Sequence, residues 1–393
     1  MGACVREDPK LQGLLYAGTE LGLYISFDDG ANWEKWQGNL PIVPITDLKV
    51  HHGDLLAATQ GRGFWILDDL TPVRNSSAEA ESADLHVFPP RDAVRVVWGQ
   101  GGAGPSGGET VGQNPPAGAQ VFYSLAEEPD TLVTVEILEN GAVIRTYATD
   151  PEAAGNENFT KIDKPGSGLN RFAWDFRREA TTAIPGMFTF GNLAGRLVPP
   201  GSYQVRLNVG ELSETVSVEV LPDPRWTVTA AQYAAQERFL QQAADALEQI
   251  HAGLNDLRGA RTQVNDLIER TEDHEQADTI RAAGEALADG VTELEGELSQ
   301  PKQKTFQDVI NFENRLNAKI IALIASVDGT PPPVVRGAAD RLDDLLAEWS
   351  EKRGTMNDLF RQIDSFNRLI QELGVPPIVV NRNSRRVISA AWR

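Results

Sequence analysis

Residues 14–29 read LLYAGTELGLYISFDD, and residues 54–69 read DLLAATQGRGFWILDD. The two stretches align at an offset of about 40 residues, with one inserted residue in the second. The recurring positions are Ala17 with Ala57, Thr19 with Thr59, and Gly22 to Ile25 with Gly63 to Ile66. Each stretch places two short apolar segments on either side of a turn that contains glycine, which is typical of a β-hairpin. The sequence therefore predicts a repeated hairpin near the start of the chain.

The first stretch runs into SFDDGANW at residues 26–33, which has the form S-x-D-x-G-x-x-W of an Asp box. Ser26 and Asp28 carry side chains that accept hydrogen bonds from turn backbone N–H groups. Gly30 allows a positive φ, and Trp33 would cover the turn from its apolar side. We interpret these four residues as structural. A period of about 40 residues is that of a four-stranded propeller blade, so the repeat predicts propeller blades.

The stretch AGTELGLYISFDDGANWEKW, followed by ATQGRGFWILDDLTPV, resembles the last blades of bacterial BNR-repeat, sortilin-like propeller proteins, a family often labelled glycosyl hydrolases. The resemblance continues through LVPPGSYQVRL, VLPDPR, QDVINFENRL and FNRLI, so it covers nearly the whole chain. Family members carry many blades, whereas this chain has sequence for roughly one and a half. The resemblance implies an extracytoplasmic protein whose propeller is a binding module.

Beyond the repeat, the hydrophobic periodicity changes twice. It alternates with period two between residues 119 and 221, which predicts a β-sandwich, and the segment resembles Ig-like modules. After Pro222 it becomes helical, in stripes at 240–268, 280–298, 306–327 and 342–373. We therefore predict a multidomain β + α protein with partial β-propeller blades, an Ig-like β-sandwich and an antiparallel four-helix bundle. The predicted divisions are terminal blades at 1–70, a linker and extended Gly/Pro-rich segment at 71–118, the sandwich at 119–222, the bundle at 223–374 and an extended tail at 375–393, with Ile378 to Val380 docked on a neighbouring surface.

The composition argues against several classes of function. A formal net charge of −20 repels phosphate backbones, so we expect no nucleic-acid partner. The single cysteine, Cys4, leaves no intrachain disulfide, and the five histidines lack metal-ligand spacing, so we expect no metal and no cofactor. No apolar run approaches the roughly 20 residues of a membrane span. Residues 5–9 are already charged, so we expect no signal peptide before the first domain, and the location stays open apart from what the resemblance implies.

Glycoside hydrolysis would require two carboxylates that flank a cleft. The adjacent pairs Asp28-Asp29 and Asp68-Asp69 are the obvious candidates, but neighbours on a strand point to opposite faces. In the related architectures the Asp box is also a peripheral turn. We therefore predict no catalytic residue in this chain alone.

The hairpin turns that precede each second strand offer a better ligand surface, because they lie at the strand end opposite the Asp box. They hold Glu20 in the first stretch, and Gln60 and Arg62 in the second. These three residues are the candidate ligand face. The simpler interpretation is that they are ordinary polar turn residues.

The leading functional hypothesis is a non-catalytic binding or scaffold portion of a sortilin-like propeller protein, with a protein, peptide or glycan as ligand. The alternative is an accessory C-terminal part of a glycoside hydrolase whose catalytic blades lie upstream or on another chain. A third hypothesis is a truncated gene product without an independent role. Two acidic residues facing one cleft would favour hydrolysis, and an apolar or aromatic channel would favour peptide binding.

The expected partner is another chain, or upstream sequence, that supplies the missing propeller blades, and self-association is a second outcome. Closed propellers use about 4–8 blades, each packed on its neighbours. An orphan blade would leave apolar faces in water, and the side chains we expect to be exposed in that case include Tyr16, Tyr24, Trp33, Phe64 and Trp65.

Overall fold

The computed structural model describes residues 2–96, 112, 114–157 and 159–380. These residues form a protein of mixed β and α content, as predicted, with six α-helices among them. Most of the predicted Gly/Pro-rich segment and residues 381–393 of the predicted tail lie outside the described residues. The chain divides into two compact units. The first unit is Met1–Arg95, Gly102–Phe176 and Gly201–Leu221, and the second is Val96–Gly101, Arg177–Pro200 and Pro222–Arg393.

Two antiparallel sheets open the first unit. The first sheet, in spatial order, is β1 (Gly2–Glu7), β2 (Leu15–Thr19), β3 (Gly22–Ser26) and β4 (Glu34–Lys35). The second sheet is β5 (Ile45–His51), β6 (Asp54–Thr59) and β7 (Phe64–Leu67). The predicted hairpins are β2–β3 and β6–β7, and both are confirmed as antiparallel pairs.

The repeat extends to the backbone of the preceding strand. The pairing of β1 with β2 shifts register between Gly2 and Cys4, and the pairing of β5 with β6 shifts between Ile45 and Asp47. In both sheets the shift follows the residue that pairs with the last threonine of the neighbouring strand. Strands β1, β2 and β3 therefore correspond to β5, β6 and β7.

The two sheets share one hydrophobic core. It takes Leu14, Tyr16, Leu23 and Ile25 from the first sheet and Ile45, Leu48, Leu55 and Ala57 from the second. Gly18 admits this packing, because a Cβ there would lie 2.6 Å from the Ile45 side chain. Tyr16, which we expected in water for an orphan blade, is instead fully covered by the second sheet and by the stacked Trp36 ring, whose centroid lies 5.9 Å away. Phe64, by contrast, is 85% exposed.

Two short helices follow β7, in the stretch interpreted from sequence as a polar linker. They are α1 (Thr71–Arg74) and α2 (Ala78–Ser82). Helix α1 carries Arg74, whose guanidinium forms hydrogen bonds of 2.9 to 3.0 Å with the carboxylate of Asp8, a residue next to β1. The linker stretch is thereby tied back to the first sheet.

The rest of the first unit contains two further sheets. The smaller sheet is, in order, β14 (Gly168–Trp174), β10 (Ala119–Leu125) and β8 (Leu85–Val87). The larger sheet is β13 (Thr160–Lys161), β12 (Ala142–Ala148), β11 (Val133–Glu139), β15 (Gly201–Val209), β16 (Leu212–Pro222) and β9 (Ala93–Arg95). Trp174 is fully buried, and its ring centroid lies 5.2 Å from that of Tyr203 on the larger sheet.

Helices make up most of the second unit. They are α3 (Ala230–Arg270), α4 (Ala277–Leu298), α5 (Leu316–Asp328) and α6 (Arg336–Glu372). Helix α3 begins at a capping box in which Thr229 and Gln232 satisfy each other's backbone N–H groups. The apolar stripes of the four helices form one core, which includes Leu254, Val291 and Trp349.

The third helical stripe is only partly helical. Residues Phe306–Ile310 form a 3₁₀ helix, and α5 begins at Leu316. The Asp308 carboxylate accepts the backbone N–H groups of Lys304 and Thr305, which caps the start of the 3₁₀ helix. Ile310 is consequently 81% exposed.

Residues 177–200, which fall inside the range predicted for the sandwich, belong to the second unit. They contain no regular strand or helix of their own. Ile184 joins the helical core. Thr182 donates its backbone N–H (2.9 Å) and its hydroxyl (2.6 Å) to Glu248, and its carbonyl lies 2.7 Å from the His251 ring. Long-range polar contacts with α3 therefore hold this segment.

The start of the predicted tail docks as expected. Ile378 is buried in the helical core, and its backbone N–H and carbonyl bond with the Asn367 side chain at 2.9 and 3.0 Å. The Val379 backbone bonds in the same way with Gln263.

Candidate functional site

The Asp box forms a hydrogen-bonded turn directly after β3. The Ser26 hydroxyl accepts a bond from the Gly30 N–H (2.9 Å) and donates one to Asp28 (2.8 Å). Asp28 also accepts from the backbone N–H (2.8 Å) and the side-chain amide (2.6 Å) of Asn32. Gly30 has a φ of 85°, and a Cβ on it would lie 3.6 Å from the Trp33 ring. These are the contacts that the sequence pattern predicts.

The same contacts set the charge of Asp28. The Asn32 backbone N–H, then the Asn32 side chain and the Ser26 hydroxyl, lower the pKa of this carboxyl. A carboxyl with a lowered pKa stays ionised near neutral pH and is a poor general acid. Asp28 therefore closes the turn and does not supply a proton.

The candidate ligand residues lie on the hairpin turns, at the end of the strands opposite the Asp box. Glu20 is in the β2–β3 turn, and Gln60 and Arg62 are in the β6–β7 turn. All three side chains are exposed. The Trp65 indole N–H donates to the Arg62 carbonyl (3.1 Å), so the second turn is held by its own strand.

The two turns project from the same end of the packed sheets. Ile45 pairs with Thr59 at the end of β6, and its side chain lies against Gly18 near the end of β2. The structure thus brings the turns that carry the candidate ligand residues to one end. Those residues line neither of the two grooves described below.

The second acidic pair, Asp68 and Asp69, follows β7, and its members have different surroundings. Asp69 is buried, accepts the Thr71 N–H (2.9 Å) and lies 3.5 Å from the Arg91 guanidinium. Asp68 is half-buried, and burial, with the nearby charge of Asp54, raises the pKa of its carboxyl. Because Asp69 already bonds to the turn and lies beside Arg91, Asp68 and Asp69 are not placed to act as the general acid and the nucleophile of a hydrolase.

A broad groove lies beside β4 in the first unit, and we call it the β4 groove. It has a volume of about 650 Å³ and is bounded by β4, α1, α2, β10 and β14. Its apolar lining includes Ile25, Phe27, Trp36, Phe88, Leu125 and Leu169. The carboxylates of Glu34 and Glu81 also border it. Both side chains are exposed, and Glu81 accepts a hydrogen bond from Ser76 (3.1 Å).

A narrower groove of about 260 Å³ lies between β3 and β7. Trp36, Val73 and Leu169 border both grooves, so the two adjoin. Asp68 and Trp65 line only the narrower one. The first unit therefore offers a continuous, mainly apolar depression, the kind of surface that takes apolar ligands or peptide side chains.

Sequence reasoning did not find this depression. Leu169 lies on β14, more than a hundred residues from Trp36 along the chain, and only the packed unit brings them together. Leu169 is 59% exposed although it lies in a strand. Sequence alternation does not distinguish such an exposed residue from a core one, so the sequence carried no signal for this depression.

His251 and Asp256 are among the side chains of the second unit that have shifted pKa values. His251 is fully buried, and burial lowers the pKa of its ring. Its Nδ1 faces the Thr182 carbonyl and must carry the proton, so Nε2 accepts from the Asn317 amide (3.2 Å). Burial raises the pKa of Asp256 to about 6, and its Oδ2 has no hydrogen-bond partner. We interpret His251 as a neutral structural residue.

No family model matches the chain, and no curated protein matches it. Among the described residues, no group of three His, Cys, Asp or Glu side chains is placed to hold a metal ion. No helix in that part of the chain is both long and apolar enough to cross a membrane.

Proposed function

We propose that this chain is a non-catalytic binding or scaffold portion of a sortilin-like, BNR-repeat propeller protein. Its ligand is a protein, peptide or glycan, and of these the β4 groove favours a peptide segment with apolar side chains. The observation that carries the proposal is the lining of this groove, where aromatic and aliphatic side chains predominate. Binding sites for apolar segments have this character, with a few polar groups at their borders.

The proposal includes a finer description of the fold. We regard the two N-terminal sheets as propeller blades, the two further sheets of the first unit as an Ig-like sandwich, and α3 to α6 as an antiparallel four-helix bundle. The structural repeat of β1–β3 in β5–β7, including the shared register shift, supports the first assignment. The Trp174–Tyr203 contact between sheets supports the second, and the common core of the helices supports the third.

Selection from a displayed library of random peptides, followed by fluorescence anisotropy on the enriched sequences, tests peptide binding. Leu169→Lys places a charge in the groove and should weaken binding at least about tenfold, which is ~1.4 kcal/mol. Leu212→Lys is the matched control, because Leu212 is also an exposed strand leucine (42%) and lies outside the groove. Equal loss in both variants, or no enriched peptide, would contradict the proposal.

Glycoside hydrolysis by this chain itself is a different function from the accessory role of the alternative hypothesis. One observation favours it, the two carboxylates of Glu34 and Glu81 that border the β4 groove. An assay of the chain against aryl glycosides and polysaccharides tests it. We expect no turnover. Turnover that Glu34→Gln or Glu81→Gln abolishes would establish hydrolysis by this chain and contradict the proposal.

A further inference from the structure

Each N-terminal sheet has two faces. The repeat shows which residue of the first sheet corresponds to which residue of the second. Because β1, β2 and β3 match β5, β6 and β7, Leu23 corresponds to Phe64 and Ile25 to Ile66. Val5 of β1 pairs with Ala17, and Leu48 of β5 pairs with Ala57, which is the counterpart of Ala17. Val5 is therefore the counterpart of Leu48. Side chains alternate between the faces along each strand.

Within the chain, one face of the first sheet is covered by one face of the second. Leu23 (7% exposed) and Ile25 (2%) lie in this interface on the first sheet. Leu48 (1%) lies in it on the second sheet, with the partly buried Trp65. The interface is heterologous, because the two sheets contribute different faces.

The other face of the second sheet is open. Phe64 and Ile66 occupy the positions of Leu23 and Ile25, yet they are 85% and 57% exposed. Leu56 lies on the same face of β6, since it alternates with the buried Leu55. Leu56, Phe64 and Ile66 form what we call the exit face. Large apolar side chains that are exposed together mark an interaction surface.

The other face of the first sheet is open as well. Val5 occupies the position of Leu48 and is 51% exposed. Tyr24 occupies the position of Trp65 and is half-buried, and Leu15 occupies that of Leu55. Val5, Leu15 and Tyr24 form what we call the entry face. It is the counterpart of the surface that already packs on the first sheet inside the chain.

The edge of the second sheet is also incomplete. In the first sheet, Tyr24 and Ile25 pair with Lys35 and Glu34 of β4. In the described residues, β7 pairs only with β6. After Asp69 the chain enters α1, so the residues described directly after β7 include no counterpart of β4. An unpaired edge next to an apolar face promotes association with another sheet.

We infer that the exit face of one molecule packs against the entry face of a second copy of this chain. The contact repeats, between molecules, the heterologous packing that already joins the two sheets within one molecule. A heterologous contact between identical chains produces a ring where the rotation closes. Closed arrangements of such sheets contain about 4–8 units, so copies that each contribute the two described N-terminal sheets would give a ring of about two to four copies.

The test is the molar mass of the chain in solution, by size exclusion with light scattering. We expect the wild type to form a closed oligomer of two to four copies. Phe64→Lys/Ile66→Lys on the exit face and Val5→Lys on the entry face should each give monomers. Ile42→Lys is the control, since Ile42 is equally exposed (66%) but lies on neither face.

Mixing the two monomeric variants is the sharpest part of the test. Each retains one intact face, so the mixture should form a dimer and nothing larger. Circular dichroism checks that each variant is folded, which the exposure of the substituted side chains favours. A monomeric wild type, or an oligomer that persists in both variants, overturns the inference. The expected ring size rests on the blade assignment in the proposed function, but the two tests can fail separately, because oligomerisation is read by molar mass and peptide binding in the β4 groove by anisotropy.

Discussion

Asp8→Asn is the substitution that should destabilise the N-terminal sheets most. The Asp8 carboxylate has no exposed side-chain surface and accepts hydrogen bonds from Arg74, the Tyr16 hydroxyl (3.0 Å) and the N–H groups of Lys10 and Leu11. An amide in its place turns one acceptor into a donor and leaves the Arg74 guanidinium, 11% exposed, without its anion. Removing one partner of a buried ion pair typically costs about 3–5 kcal/mol. We expect a loss in this range.

Urea unfolding, combined with hydrogen exchange of the peptides that cover β2 and β3, measures this loss. Asp47→Asn is the control, because the Arg6–Asp47 ion pair lies on the same sheets with side chains 45% and 62% exposed. Exposed pairs contribute about 0–1 kcal/mol, so the control should remain close to wild type. If Asp8→Asn were no worse than Asp47→Asn, the buried pair would not be what ties α1 to the first sheet.

The loss of stability in Asp8→Asn should also depend on pH. Burial would raise the pKa of Asp8, but hydrogen bonds from Arg74, the Lys10 N–H and Tyr16 outweigh it, and the pKa is lowered. The stabilisation is therefore complete above the unfolded pKa of about 3.9 and is lost as the pH falls through the lower folded value. The difference between wild type and Asp8→Asn should shrink over that interval.

Three further substitutions test other parts of the structure. Trp349→Ala should cost about 3–5 kcal/mol in thermal unfolding of the helical unit, and Trp349→Phe much less, because the buried indole N–H has no partner to lose. Asp256→Asn should stabilise the folded protein at pH 8 by about 1 kcal/mol, after allowance for partial exposure. A raised carboxyl pKa destabilises the folded state only above the unfolded pKa, so the gain in melting temperature should vanish by about pH 4. Ser26→Ala leaves the Gly30 N–H unsatisfied and should cost about 1–3 kcal/mol in urea unfolding, with faster exchange at residues 28–32.

Local patterns in the sequence were sufficient for the hairpins and for the Asp box. The contacts of Ser26 and Asp28 lie within four residues along the chain, so the motif alone specifies them. The long helices α3 and α6 could also be predicted, because their apolar stripes repeat over about eight to nine turns. Periodicity overstated the third stripe, where Phe306–Ile310 form only a short 3₁₀ helix, with Asp308 capping its start.

Contacts between residues far apart in the sequence could not be predicted from local patterns. The range of alternation predicted from the sequence, 119–221, includes residues 177–200, but these form no regular strand, and their place beside the helices depends on Glu248 and His251. The burial of Tyr16 depends on a second sheet and on Trp36, and the β4 groove depends on Leu169. These features belong to the packed units and not to any local pattern.

Hydrogen exchange of the chain with and without a selected peptide tests the central claim most directly, since it locates the bound ligand on the molecule. Binding in the β4 groove predicts slower exchange at Glu34–Trp36 and Gly168–Leu169, and unchanged exchange in the hairpin turns. Protection confined to the turns that hold Glu20, Gln60 and Arg62 would contradict this account and place the ligand on the opposite end of the sheets.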